Sequence, residues 1–205
     1  MTLGDRHRSV GALPDFATHY YFGGRRPFQN LSDLDEVHLT QVLCELDDAR
    51  RTGAHSRVFG RRYMELRRLT ERRLYDLFVE SGGWPERQAP HYLILGTSRW
   101  YQGLARDMQE IRLPLTSLPD SATSFTYPDS FTAMAFGSRF GLPYEPRPYH
   151  ERVFRLNDLR SVVDRYGMPA DDANPAYDGY ERRPFEKYIE LQVWSDDPVA
   201  SLLGS

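Results

Sequence analysis

Glu190 is the carboxylate whose sequence context best suits a role in chemistry. It lies near the end of the chain, in residues 184–198, PFEKYIELQVWSDDP, which we interpret as the last strand. Because side chains alternate along a strand, one face carries Ile189, Leu191 and Val193 and the other carries Tyr188, Glu190, Gln192 and Trp194. The apolar face belongs on a core. The carboxylate is then held on a rigid strand, between an aromatic ring and an amide that can contact a ligand.

A serine in the middle of the chain offers a second candidate centre. The stretch Gly96-Thr97-Ser98-Arg99-Trp100 follows a predicted strand and is close to the G-x-S-x-G nucleophile elbow. Asp129 and His150 come later, in the Ser, Asp, His order of the α/β-hydrolases. A tryptophan stands where the tight turn needs its second glycine, and Gly103 breaks the expected following helix. A serine hydrolase is therefore the less favoured alternative.

Arginines recur along one predicted helix. Arg61, Arg68 and Arg72 lie on the face opposite its apolar stripe. With Glu65 and Glu71 as ion-pair partners, this is a solvated face, and the interspersed acids favour that interpretation. The other interpretation is a surface that follows the phosphates of a nucleic acid. A non-catalytic RNA- or DNA-binding module that uses the helix over residues 61–73 is thus an alternative function.

Apolar spacing and turn residues predict the elements that position these side chains. Residues 16–22, FATHYYF, predict a first strand that ends at two glycines. Two helices are predicted over 32–53 and 59–80, and a third, shorter helix runs from Asn157 to Tyr166 with Gly167 after it. Further strands are predicted at 92–95, 110–115 and 152–156, and from Ser124 onward. The order indicates an α+β domain over residues 14–205, preceded by a loose N-terminal arm at 1–13.

Composition narrows the classes of function. The chain has 205 residues, 40% of them hydrophobic, which suits one domain with a substantial core. No apolar run is long enough to span a membrane, and the single Cys44 fits a reducing cytoplasm. The net charge of −3 argues weakly against a protein that coats nucleic acid. There is no G-x-G-x-x-G or P-loop motif, and the scattered histidines predict no metal site.

The order of several short segments resembles the DarT family of toxin-type, NAD-dependent ADP-ribosyltransferases that act on DNA. The resemblance spans most of the chain. It rests on the aromatic first strand with His19, the paired arginines Arg72-Arg73, the run from His91-Tyr92 to Thr97-Ser98-Arg99-Trp100, the segment Ser124 to Asp129, and Glu190-Leu191-Gln192-Val193 with Pro198-Val199.

The resemblance implies an ADP-ribosyltransferase-like fold, a split and mostly antiparallel β core with flanking helices. It also implies NAD as the donor, used as a substrate without a metal. Glu190 and Arg99 would be catalytic, with Glu190 stabilising the oxocarbenium-like ribose and Arg99 binding the pyrophosphate or orienting the acceptor. The residues that contact NAD would be His19, Tyr20, Tyr21, Arg99 and Tyr188.

A nucleic-acid base, in single-stranded DNA or RNA, would be the acceptor. The residues expected to bind that strand are Arg61, Arg68, Arg72, Trp100 and Tyr127, the last two by stacking on bases. A protein or tRNA acceptor fits the sequence nearly as well. Toxins of this family are usually accompanied by an antitoxin, which the resemblance implies as a further partner.

Overall fold

Among the described residues, six strands form one fully antiparallel sheet in the order β3-β1-β2-β6-β4-β5. The strands are β1 (Phe16–Phe22), β2 (His91–Leu95), β3 (Met108–Pro114), β4 (Thr123–Thr126), β5 (Phe154–Arg155) and β6 (Glu190–Val193). The structure, a computed structural model, describes residues 13–134, 145–169 and 187–203. The predicted arm therefore lies outside the described residues except for Leu13, which packs against the main core.

Helices flank this sheet, so the predicted α+β class is confirmed. They are α1 (Glu36–Arg51), α2 (Arg61–Glu80), α3 (Arg99–Gln102), α4 (Ser130–Ala133), α5 (Leu159–Tyr166) and α6 (Ala200–Leu203). The start of α1 is set by Asp35, whose carboxylate accepts hydrogen bonds from the amides of Val37 and His38. The predicted start at Ser32 falls instead in a short 3₁₀ turn, Leu31–Asp33. No helix in the described part of the chain is long and apolar enough to cross a membrane.

Strand β6 is buried on both of its faces. Leu191 and Val193 belong to the main core. The opposite face is covered as well, because Trp194 packs with Leu74 and Phe78 of α2 in a second cluster. Glu190 is consequently only 6% exposed and does not lie on a solvated face of the strand.

The sheet opens between β1 and β2. Seven residue pairs join β1 to β3, whereas only Ala17 with Leu95 and Thr18 with Ile94 join β1 to β2. Beyond these pairs the two strands diverge, and a side chain replaces the backbone ladder: the Nδ1 atom of His19 lies 3.0 Å from the carbonyl oxygen of Tyr92. This opening between the strands creates space for a site.

Candidate functional site

A cavity of about 210 Å³ borders the place where β1 and β2 diverge. Its walls come from β1, β2, β6, α1, α2, the start of α4, the segment 25–31 and the turn before α2, with one residue each from α3 and β3. Five consecutive residues of β1, from Thr18 to Phe22, line it, so both faces of that strand contribute. The cavity also includes Tyr188 and Glu190, which the sequence had placed on one face of the last strand.

Glu190 places a buried carboxyl group in the wall of this cavity. Its Oε2 accepts a hydrogen bond of 2.9 Å from the amide of Ser130, at the start of α4. Burial and the neighbouring charge of Asp129 raise the pKa of Glu190 to about 7, because both disfavour the ionised form. Near neutral pH the group can therefore hold or release a proton at little cost.

Asp129 is a second buried carboxyl group beside the first. Its Oδ1 caps α4 by accepting a hydrogen bond of 3.0 Å from the amide of Thr132. Its Oδ2 is buried without a hydrogen-bond partner among the described residues, and burial raises the pKa of Asp129. The two acids make this end of the cavity an environment in which carboxyl groups resist ionisation.

His19 joins three walls of the cavity. Besides the bond to Tyr92, its Nε2 accepts a hydrogen bond of 2.9 Å from the amide of Phe28, whose ring stacks on the imidazole at 4.1 Å. Burial lowers the pKa of His19 to about 4, so the ring is neutral and donates through Nδ1. A ligand that bonded either nitrogen would have to displace one of these contacts.

Tyrosine rings form much of the remaining wall. Tyr20, Tyr21 and Tyr188, all predicted to contact NAD, line the cavity. The Tyr20 and Tyr101 rings stack at 5.4 Å, and the Tyr101 and Tyr188 rings meet edge-on at 5.2 Å. These contacts fix flat apolar surfaces against which a planar ring can stack.

Three predicted site residues lie elsewhere. Arg99 is exposed at the start of α3 and is not part of the cavity wall, because Trp100 takes the inward position of that turn. Trp100 and Tyr127 are 2% and 3% exposed, respectively, and pack in hydrophobic clusters. The prediction that these two rings stack on bases is wrong, since neither is presented on the surface.

The arginines of α2 divide between surface and interior. Arg61, Arg68 and Arg72 are exposed, as predicted, and Arg68 pairs with Glu36 at 2.9 Å. Glu71, however, is 3% exposed and does not belong to the solvated face. Its Oε1 accepts hydrogen bonds from Arg67 Nε, at 3.0 Å, and from the Tyr92 hydroxyl, at 3.2 Å.

Sequence reasoning did not select several of the cationic residues on the cavity wall. Arg25, Arg26 and Arg57 line it, and so does Arg67. Arg25 and Arg26 follow the two glycines after β1, which we interpreted only as a strand end. Their position directly after an aromatic strand could have predicted them as site residues, because the chain turns there and keeps the two arginines close to the side chains of that strand.

The geometry gives the serine motif a structural role. Ser98 is fully buried, and its hydroxyl caps α3 by accepting a hydrogen bond from the amide of Tyr101. Asp129 likewise caps α4, and His150 Nδ1 accepts a hydrogen bond from the amide of Arg147. Each member of the suggested triad thus has a local partner, and a buried hydroxyl cannot meet an external substrate. These contacts do not favour a hydrolase.

Comparisons of the chain with protein-family models, with curated proteins and with solved structures give no match. A function must therefore be argued from the cavity and its chemistry.

Proposed function

We propose that this protein is an NAD-dependent ADP-ribosyltransferase with an ADP-ribosyltransferase-like fold, and that a nucleic-acid base is its acceptor. The proposal rests on one observation above all. Glu190 is buried in the wall of a cavity lined by tyrosines and arginines, on a strand separated from β1 by β2 alone. A toxin or defence role, and an antitoxin as partner, belong to the same proposal and rest on the resemblance to the DarT family.

The reaction requires a negative group beside the ribose. When the bond between nicotinamide and ribose breaks, its electron pair goes to the pyridinium nitrogen and positive charge develops on the sugar. The ionised Glu190 carboxylate stabilises that charge, more strongly in a buried cavity than in water. The acceptor nitrogen or oxygen then bonds to the anomeric carbon, and its proton passes to Glu190 or to solvent.

The cavity wall has groups that suit both the nicotinamide ring and the diphosphate of NAD. Tyr20, Tyr21 and Tyr188 offer faces for a planar nicotinamide ring. Arg26 and Arg57 supply cations on the same wall, a role in anion binding that the resemblance had implied for Arg99. NAD combines a positively charged ring with a negative diphosphate, and the cavity likewise has acidic and basic parts.

The test is nicotinamide release and label transfer from labelled NAD in the presence of single-stranded oligonucleotides. We expect wild-type protein to release nicotinamide, and Glu190→Gln to slow release by on the order of a hundredfold or more. Glu65→Gln, which alters an exposed carboxylate of α2, is the matched control and should retain wild-type rates. No release by the wild type, or an unaffected Glu190→Gln variant, would refute the proposal.

A second candidate is a non-catalytic nucleic-acid-binding module. The exposure of Arg61, Arg68 and Arg72 on one long helix favours it. Such a module would bind oligonucleotides with a strong dependence on salt and without any effect of NAD. Measuring binding across salt concentrations, with and without NAD, separates it from the enzyme.

A further inference from the structure

Arg67 differs from every other arginine on α2, because it lies in the cavity wall and is held from several sides. Its side chain is 17% exposed, and that of its partner Glu71 is 4% exposed. Nε donates to Glu71 at 3.0 Å, Nη1 to the Tyr63 hydroxyl at 2.9 Å, and Nη2 to Asn30 Oδ1 at 3.0 Å. The guanidinium also lies 4.7 Å from the centre of the Tyr92 ring.

These contacts do not use all of the hydrogen-bond donors. A guanidinium has five N–H groups, and the three bonds take one from each nitrogen. One N–H on Nη1 and one on Nη2 have no protein acceptor in the described part of the chain. Unused donors on the two terminal nitrogens of one rigid plane can bind the oxygens of a phosphate or carboxylate.

The partners of Arg67 are themselves fixed, so the donors cannot move freely. Asn30 donates to the carbonyl oxygen of Pro90 at 2.9 Å, and its Oδ1 also accepts from the amide of Ser32. Glu71 is held by the hydroxyl of Tyr92 as well as by Arg67. A binding group whose supports are anchored in this way loses little conformational freedom when a ligand arrives.

A purely structural role explains less of this arrangement. Buried ion pairs contribute little net stability, because removing both charges from water costs about as much as their attraction returns. A structural pair would also be expected to satisfy its remaining donors inside the protein. Here the donors that lack protein partners belong to a residue of the cavity wall.

We infer that Arg67 is an anion-binding residue of the cavity, beside the cations Arg26 and Arg57, and that it binds a phosphate group of a nucleotide ligand through the free N–H groups of Nη1 and Nη2. The inference rests on the proposed function only for the identity of the nucleotide. Glu190 lies in the wall of the same cavity. A ligand with a positive centre near Glu190 and a phosphate near Arg67 complements both charges.

The test compares ADP with adenosine by calorimetric titration of the full chain. Wild-type protein should prefer ADP by about tenfold or more, since a charge-assisted pair of hydrogen bonds is lost with adenosine. Arg67→Lys keeps the charge beside Glu71 but lacks the planar fork, and should lower that preference to within about threefold of unity. Arg160→Gln, at an exposed position of α5, should leave the preference unchanged.

Each result decides the matter, because the ratio of the two affinities cancels general damage to the fold. The inference is overturned if wild-type protein does not bind ADP or does not prefer it, or if Arg67→Lys weakens ADP and adenosine equally. Should Arg67→Lys fail to fold, Arg67→Gln combined with Glu71→Gln removes both buried charges, and must also lose the preference.

The outcome is independent of catalysis. A phosphate preference that depends on Arg67, without nicotinamide release by the wild type, would refute the transferase proposal and leave the anion site in place. Nicotinamide release that depends on Glu190, with an unchanged preference for ADP in Arg67→Lys, would support the transferase proposal and refute the anion site.

Discussion

At the scale of single residues, Glu190 is expected to reduce the stability of the fold. Because its folded pKa is about 7 against an ordinary value of 4.5, the folded protein retains a proton that the unfolded chain releases as the pH rises. Stability is therefore lost between about pH 4.5 and 7. We predict that Glu190→Gln is more stable than wild type at pH 8, and that this advantage falls by roughly 2 kcal/mol at pH 5.

Chemical denaturation of both proteins at the two pH values measures this difference, with Glu65→Gln as the control for an exposed carboxylate. An equal effect of Glu190→Gln at pH 5 and pH 8 would contradict the assigned burial and ionisation.

Asp129 allows the ionisation of Glu190 to be shifted without removing it. If the ionised form is the catalyst, nicotinamide release should rise with pH through the pKa of Glu190, near 7. Asp129→Asn removes a neighbouring negative charge while leaving a good cap on α4, so the rise should move to lower pH. The measurement is the pH profile of kcat/KM for both proteins. A profile that does not move would show that the charge of Asp129 does not act on the reaction.

At the scale of elements, His19 connects β1 to β2 and to the segment that carries Phe28. Its lowered pKa, about 4, means that the unfolded chain takes up a proton between about pH 6.5 and 4 while the folded protein resists. The contribution of His19 to stability is thus present above pH 6.5 and lost as the pH falls through 4. When the ring is protonated, Nε2 can no longer accept the hydrogen bond from the amide of Phe28.

We therefore predict that the His19 ring titrates near pH 4 in NMR spectra, and that the amide resonance of Phe28 shifts in the same step. His38, which is exposed on α1, serves as an internal reference for a histidine outside the cavity. Titration of His19 near pH 6.5 would mean that its two hydrogen bonds do not hold the neutral ring.

The elements also show how far the sequence alone could lead. Strand β1 occupies the predicted residues 16–22, and α5 ends at Tyr166 with Gly167 after it at φ of +83°, because these features depend on local alternation and turn residues. The inner face of α2 was not predictable in the same way. An i,i+4 pair of Arg67 and Glu71 has the same pattern on a wet face as in a cavity wall, and only contacts from Asn30 and Tyr92 distinguish the two.

The candidate site also contains residues that local sequence patterns could identify and residues that only tertiary contacts reveal. Glu190 was found because strand alternation placed it in mid-strand between an aromatic ring and an amide, whereas its burial depends on α2 and α4 packing over that face. Arg99 was predicted wrongly to lie in the site, because in a short helical turn a shift of one residue decides whether a side chain is exposed or buried. Arg25 and Arg26 had a local signal in their place directly after an aromatic strand, whereas the position of Arg57 depends on the course of the chain between α1 and α2, which no local pattern specifies.

At the scale of the whole molecule, the net charge of −3 gives no general attraction for nucleic acid, so any binding must come from a local surface. The exposed arginines of α2 are the predicted surface. Replacing Arg61 and Arg72 by glutamine should weaken single-stranded oligonucleotide binding at low salt. It should also reduce the slope of log affinity against log salt by roughly 1 to 1.5, the effect of losing two phosphate contacts.

The measurement is oligonucleotide binding at several salt concentrations, with Arg160→Gln on the exposed face of α5 as the control. Because Arg61 and Arg72 are not part of the cavity wall, release of nicotinamide in the absence of an acceptor should be unchanged in the double variant. A slope equal to that of the wild type would mean that this face of α2 is only a solvated helix surface. The acceptor would then have to be bound by the arginines of the cavity wall itself, where Arg26 and Arg57 lie.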